Sequence, residues 1–377
     1  MISKTFSVAS LPALEEQLAN LQTDQPFKPS FAFVFASIAH SIDDIMNVFN
    51  RYEISIIGCS SAGEIVDDRL YEQEIGVMLL DMPADAFCIV QTDHDQVELD
   101  VAANTLSTAA LQTFDNPAII LLLSGIEVDT EYLTEALKSR MGESVCLFGG
   151  MAADDFRLQE TYVFGNYQIS SQGLIALVVD NNKIAIEGMA YSGWEAIGIE
   201  HTVTEARGTT VYKINNEPAL DVFLRYFGYY GNLNNDRDVA TAQYPMQVKR
   251  KGGYSVLRSP TIAKEDERAI VLAGKVKTGE KFHFSVSPGF EVIDSTIAGF
   301  EKMKKRQTYS PDALLLFSCK GRHASFGPLI EDEISRLHQC WNKPMIGFLS
   351  YGEIGCVENG FCDFHNETCT LVTLKEL

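Results

Sequence analysis

Two apolar patterns alternate along the chain. Phe31 to Ala36, Ile119 to Leu123 and Leu314 to Ser318 are short, nearly continuous apolar runs, as expected of strands covered on both faces. Elsewhere apolar residues recur every three or four positions. Leu11, Leu14, Leu18 and Leu21 form one such stripe, Ile42, Ile45, Met46 and Phe49 a second, and Ile330, Ile334, Leu337 and Trp341 a third. Each predicts an amphipathic helix. Ser10 and Ser41 stand where N-caps belong, and Asp44 follows Ser41 by three. With Phe6 to Ala9 and Ile54 to Ile57 as further strands, the first segment reads strand, helix, strand, helix, strand.

That order returns near the C-terminus. Phe282 to Val286 reads as extended, Val292 to Met303 as helix, Leu314 to Ser318 as strand and Ile330 to Trp341 as helix, before Met345 and Ile346. Both copies run into the same loop, Gly58-Cys-Ser-Ser-Ala-Gly-Glu-Ile65 and Gly347-Phe-Leu-Ser-Tyr-Gly-Glu-Ile354. Gly, Ser, Gly, Glu and Ile match at one constant offset, which together with the shared lead-in predicts an internal duplication. A weaker copy lies between them. It comprises Phe87 to Gln91, a helix over 101–114, Ile119 to Leu123, a helix from Thr130 to Arg140, and Val145 to Phe148 before Gly149-Gly-Met-Ala-Ala-Asp-Asp155. Asp155 stands six residues after Gly149, as Glu64 and Glu353 stand after Gly58 and Gly347.

Residues 161–280 break the pattern. Thr161 to Phe164, Gly173 to Val179 and Lys183 to Ala190 read as successive strands, Trp194 falls in a loop, and a helix follows Pro218. Residues 227–243 are rich in Gly and Asn and read as a linker. The expected fold is α/β, with mixed sheets built from pseudo-repeated β-α-β-α-β units and added antiparallel strands in the middle. Two domains are expected, 1–235 and 236–377.

A strand that ends in glycines and meets a polar turn places backbone N–H groups at the carboxyl edge of a sheet, where open α/β folds bind ligands. The acid after the turn has two readings at this stage. It contacts a ligand, or it fixes the loop by accepting local hydrogen bonds. Repetition does not choose between them, because a duplicated structural bolt also repeats.

The segments IIGCSSAGEI, LFGGMAADD, GWEAIGIEHTVTEARGTTVYKINNEPAL, LLLFSCKGRHASFG, GFLSYGEIG and FHNETCTLVTL resemble the FIST N-terminal and C-terminal domains, in family order over about residues 30 to 375. The resemblance implies a sensory protein of signal transduction that binds a small polar metabolite, with amino acids proposed as ligands. Some relatives are haem-binding nitric oxide sensors, so haem is the implied alternative cofactor. With no fused output domain, the implied partner is a separate signalling protein such as a histidine kinase or a cyclic-dinucleotide enzyme. Carried over by motif, the candidate ligand-binding residues are Ser61, Gly63 and Glu64, then Gly149, Gly150, Asp154 and Asp155, then Arg322, Ser350, Gly352 and Glu353. Arg322 follows a buried-type strand and could clamp a carboxylate, or it forms an internal ion pair.

Charge and cysteine usage narrow the rest. A net charge of −21 over 377 residues argues against nucleic acid. The basic runs Lys249-Arg250-Lys251 and Lys302 to Arg306 read as solvated. No apolar stretch is long enough for a membrane span, and the N-terminus lacks a secretory pattern, so a cytoplasmic protein is expected. Eight cysteines are dilute and read as reduced. Cys356, Cys362, His365 and Cys369 lie close in sequence but lack the C-x₂-C pair usual in structural zinc sites, so no metal is expected. An enzyme is not expected, because neither register of Gly58 to Gly63 completes a G-x-S-x-G elbow. Cys59 and Cys319, the latter near His323, are the remaining thiol candidates. None of the seven histidines is singled out by spacing as a haem ligand.

Overall fold

The computed structural model describes residues 1–22, 27–94, 98–227, 244–250, 252–287, 289–358 and 360–377. Its frame is one module built three times. The first module has strands Ser3–Val8, Phe31–Ser37, Ser55–Ser61 and Ile75–Leu80, with helices Leu11–Gln22 and Ile42–Arg51 between the first three. The second has strands Phe87–Asp93, Pro117–Leu123, Cys146–Met151 and Gly173–Asp180, with helices Leu99–Thr113 and Thr130–Met141. The third has strands Ile184–Tyr191, Ala313–Cys319, Met345–Ser350 and Cys369–Glu376, with helices Glu291–Arg306 and Ile330–Trp341. In every module the strands lie in the order first, fourth, second, third. The second and third are parallel, and the fourth runs antiparallel to both neighbours.

The two matched copies and the weaker copy between them are thus three modules of one build, and one expected element is corrected. The edge strand of the third module is Ile184–Tyr191, not Phe282 to Val286. Lys281–Val286 belongs instead to an eight-stranded antiparallel sheet built from residues 195–286. That sheet is inserted between the edge strand of the third module and its first helix. It has its own core, in which Phe223 and Phe227 of helix Ala219–Phe227 meet Phe282 and Phe284. In the other modules the same connection is short, from Val8 to Leu11 and from Asp93 to Leu99.

The continuous apolar runs are explained by alternation. Phe31, Phe33 and Phe35 point into a core shared with the second and third modules, while Ala32, Val34 and Ala36 lie under the helices of the first. Likewise Leu315 and Phe317 face the shared core, and Leu314 and Leu316 face helices Glu291–Arg306 and Ile330–Trp341. Ser41 caps its helix as expected, accepting the Asp44 N–H at 3.3 Å.

The modules interlock in a ring. After its turn, Glu64–Val66 of the first module extends the sheet of the third beside Met345–Ser350. Glu353–Cys356 of the third extends the sheet of the second beside Cys146–Met151. Val163–Phe164 of the second extends the sheet of the first beside Ser55–Ser61. Ile65 stands opposite Gly347, Ile354 opposite Gly149, and Phe164 opposite Gly58. One backbone hydrogen bond recurs at matched positions in all three: Ala62 N–H to Leu349 O at 3.2 Å, Tyr351 N–H to Met151 O at 3.3 Å, and Ala153 N–H to Ser60 O at 2.9 Å. Strands from both sides of residue 235 thus share sheets, and the expected linker and boundary lie outside the described residues. No described helix is long and apolar enough to cross a membrane.

Candidate functional site

The repeated glycines do not end strands. Gly58, Gly149 and Gly347 lie inside their strands, which run on to Ser61, Met151 and Ser350. They are glycine because neighbours come too close for a side chain. A Cβ on Gly149 would sit 1.8 Å from Leu121 O, and one on Gly347 1.8 Å from Leu316 O. Gly150 is also mid-strand, packed against Phe348 and Phe317. Gly63 makes the actual turn, at φ 137°, and Gly352 leaves space for the Phe364 ring.

The acids beyond these strands all accept hydrogen bonds from the protein. Glu64 accepts the Ser61 hydroxyl on one oxygen and the Glu74 N–H, at 3.0 Å, on the other. Glu353 accepts Ser350 Oγ at 2.5 Å and Thr368 Oγ1 at 2.7 Å. Both carboxyls are buried, and burial pushes each up to about 8 despite these hydrogen bonds. Ser350 Oγ also lies 3.3 Å from Ser318 O. Asp155, at the matching offset, accepts the Ser37 hydroxyl at 2.8 Å. Asp154 takes the tie-down role instead, accepting the N–H groups of Leu158, Gln159 and Glu160 at 2.9, 2.7 and 3.0 Å, together with the Tyr351 hydroxyl.

Arg322 is also fully committed. It forms a fully buried ion pair with Glu333, and its remaining N–H groups go to the carbonyls of Ser192 and Glu367 and to Thr296 Oγ1. Its guanidinium lies over Trp194 and Phe326, 5.3 and 4.9 Å from the ring centroids.

What these residues hold in place is a cavity of about 440 Å³. It opens where the chain leaves the third module for the inserted sheet. One wall is Met189 to Glu195, a second is Ser295, Gly299, Lys302 and Arg306 of the module's first helix, and Gln247, Ser255 and Leu257 come from the inserted sheet. Val357, Glu358, His365 and Thr368 close it. Of the sequence candidates, Glu353 and Arg322 stand one layer behind. Glu353 fixes Thr368 and Arg322 fixes Ser192 O, so two wall positions are set by buried charge-bearing groups.

Trp194 gives this cavity its chemical character. It is 5% exposed and stacks on Phe326 at 5.4 Å, yet its indole N–H has no hydrogen-bond partner among the described residues. A buried donor left unmade costs about 1–3 kcal/mol, so a lining group of this kind favours a ligand that brings an acceptor. The sequence pattern places Trp194 only in a loop. The available signal was its position, flanked by glycine at the point where the repeat breaks.

Two further expectations change. Arg250 is not solvated: it bonds Glu131, Glu280 and Asp363 at 2.6, 2.8 and 3.2 Å, and Arg258 joins Glu131 at 2.9 Å. The cysteines are not all reduced, since Cys356 and Cys362 form a disulfide. His94 is partly buried, with its ring on Ser124 O at 3.0 Å. Burial raises the Cys59 and Cys319 thiols well above their ordinary value, which disfavours the nucleophilic thiolate.

The two buried histidines do not fit an axial haem ligand as they stand. Asn215 Oδ1 accepts the Thr202 N–H at 2.9 Å, so its NH₂ faces His201 Nδ1, at 2.9 Å. That makes Nδ1 the acceptor and leaves the proton on Nε2, the nitrogen a metal would need. His365 engages Gly355 O through Nε2 at 3.1 Å. Neither buried histidine therefore presents an unprotonated, unengaged Nε2 to a haem iron.

Two family models match the sequence, the FIST N domain over residues 30–217 and the FIST C domain over residues 219–356. None of the curated proteins compared matches it.

Proposed function

The chain belongs to the FIST family, whose domains are associated with signal-transduction sensing, and from that premise we propose that it is a sensor holding a small polar metabolite in the Trp194 cavity. The observation that carries this reading is the unpartnered, buried indole N–H of Trp194, a residue of the cavity wall. The ligand needs an acceptor for that N–H. Lys302 and Arg306 on one wall suit a carboxylate, and Glu195 and Glu358 suit an ammonium group, so an amino acid or a close relative is the first class to test. The signal passes to a separate signalling protein, such as a histidine kinase or a cyclic-dinucleotide enzyme.

A thermal-shift screen of amino acids and related metabolites tests the reading. A binding compound raises the melting temperature through mass action. A variant that fills the cavity, Ser295→Trp, should fold and lose the shift. The reading fails if no compound stabilises the wild type, or if the filled variant responds equally.

A further inference from the structure

One wall of the cavity is a hairpin closed by a covalent bond. Cys356 and Cys362 stand directly opposite each other in the Glu353–Cys356 and Cys362–His365 strands, with Cα atoms 3.8 Å apart, and are joined as a disulfide. The turn beyond them carries Val357 and Glu358, and both line the cavity. Two backbone bonds shape that turn, Val357 N–H to Phe361 O at 2.9 Å and Gly360 N–H to Val357 O at 2.8 Å. Arg306 reaches Glu358 from the opposite wall at 3.0 Å, but the two side chains are 52% and 63% exposed, so the pair holds weakly.

Both sulfurs also have an acceptor beside them. Cys356 Sγ lies 3.7 Å from Leu147 O, and Cys362 Sγ 3.3 Å from Val145 O. As thiols they can donate to these carbonyls, so the reduced hairpin has a place for both protons. The chain is therefore furnished for two covalent states at the cavity wall.

We propose that the Cys356–Cys362 disulfide is a redox gate on the cavity, closed when oxidised and loosened when reduced. The inference rests on the reading of the cavity as the ligand site. Reduction needs a thiol donor. Its thiolate attacks Cys356 Sγ, in the residue that is 8% exposed against 0% for Cys362, and the S–S bond breaks with its electron pair leaving on Cys362, which takes a proton. A second thiol displaces the Cys356 thiolate, which is protonated, and the donor departs as its own disulfide. Two electrons and two protons have then passed to the protein. Without the covalent closure, the described residues of the turn keep two backbone bonds, one weak ion pair and the stacking of Phe361 on Tyr254, and the turn opens locally more often.

The test reads the cavity directly and needs no metabolite. The chain has two tryptophans, so a Trp341→Phe background leaves Trp194 as the sole reporter. Acrylamide quenching of Trp194 is measured in air-oxidised protein, after dithiothreitol, and in Cys356→Ser/Cys362→Ser. Reduction and the double variant should each raise the quenching constant about threefold, as local opening exposes the ring. If Trp341→Phe does not fold, hydrogen exchange at the Val357 and Gly360 amides of the wild type decides the matter, with faster exchange expected after reduction. Unchanged quenching or exchange, with both thiols shown free by alkylation and mass spectrometry, overturns the gate. So does finding both thiols free before any reductant is added. A failed metabolite screen leaves this result intact, and a failed gate leaves the cavity reading standing.

Discussion

The strand-end loops and the Trp194 cavity use similar residues to opposite ends. At the loops, serine and glutamate sit side by side, and Glu64 and Glu353 spend their oxygens on the protein. At the cavity, the Trp194 donor meets no protein partner among the described residues. The loops recur because the three modules must interlock around a ring, whereas the cavity occurs once, where the inserted sheet interrupts the third module. Repetition here marks architecture, and the candidate ligand site lies where the repeat is broken.

The largest expected effect breaks the architectural half of that comparison. A side chain at Gly149 would meet the Leu121 backbone carbonyl, which cannot swing aside. Gly149→Ala should therefore cost about 4 kcal/mol or more and leave little folded protein. Circular dichroism and chemical denaturation read this out. If Gly149→Ala folds with near-wild-type stability, the close strand approach does not explain the repeated glycine, and a ligand role for that loop returns.

The elements of this fold were legible and their partners were not. Buried strands and striped helices are local patterns, so the β-α-β-α-β units emerged from residue spacing alone. The ring of exchanged strands did not, because Gly347 opposite Ile65 is a pairing across most of the chain with no local signature. For the same reason Lys281–Val286 looked like an edge strand. Its alternation is correct for a strand, and only the sheet to which it belongs was wrong. Arg250 was hidden by its neighbours, since a Lys-Arg-Lys run reads as solvated until three carboxylates converge on its middle residue. For Glu64 and Glu353 the sequence left ligand contact and loop fixing open, and the hydrogen bonds favour fixing.

A pH experiment sharpens the same point at smaller cost. Burial raises Glu353 from 4.5 to about 8 in the folded state. The unfolded chain loses this proton near pH 4.5 and the folded chain near 8. The stability it contributes is thus fully present below pH 4.5 and is lost as pH rises to about 8, by about 1.4 kcal/mol per unit in that window. Glu353→Gln keeps the shape and removes the titration, so its stability should fall less steeply from pH 5 to 8. Glu64 and Glu367, raised by burial to about 8 and about 7, keep part of the slope in both proteins. His365, lowered by burial to about 4, acts in the opposite direction below pH 6.5 and cancels in the comparison. Parallel curves would mean that Glu353 is ionised in the folded protein, and so open to a cationic ligand.

The smallest effect on stability should be the largest on binding. Trp194→Phe deletes an N–H at the cavity that lacks a partner, so the empty protein loses no hydrogen bond and is relieved of a buried orphan. Phenylalanine should keep the stacking on Phe326 and the place under Arg322 that Trp194 has, with some loss of ring contact. Melting temperature should therefore change little. A ligand that accepts from the indole loses that bond, at about 1 kcal/mol or roughly a fivefold rise in Kd. Titration calorimetry with whichever amino acid gives the best thermal shift measures it. An unchanged Kd would move the acceptor contact away from Trp194, and a collapse in stability would place Trp194 with Glu353 and Arg322 among the residues that hold the wall rather than those that read the ligand.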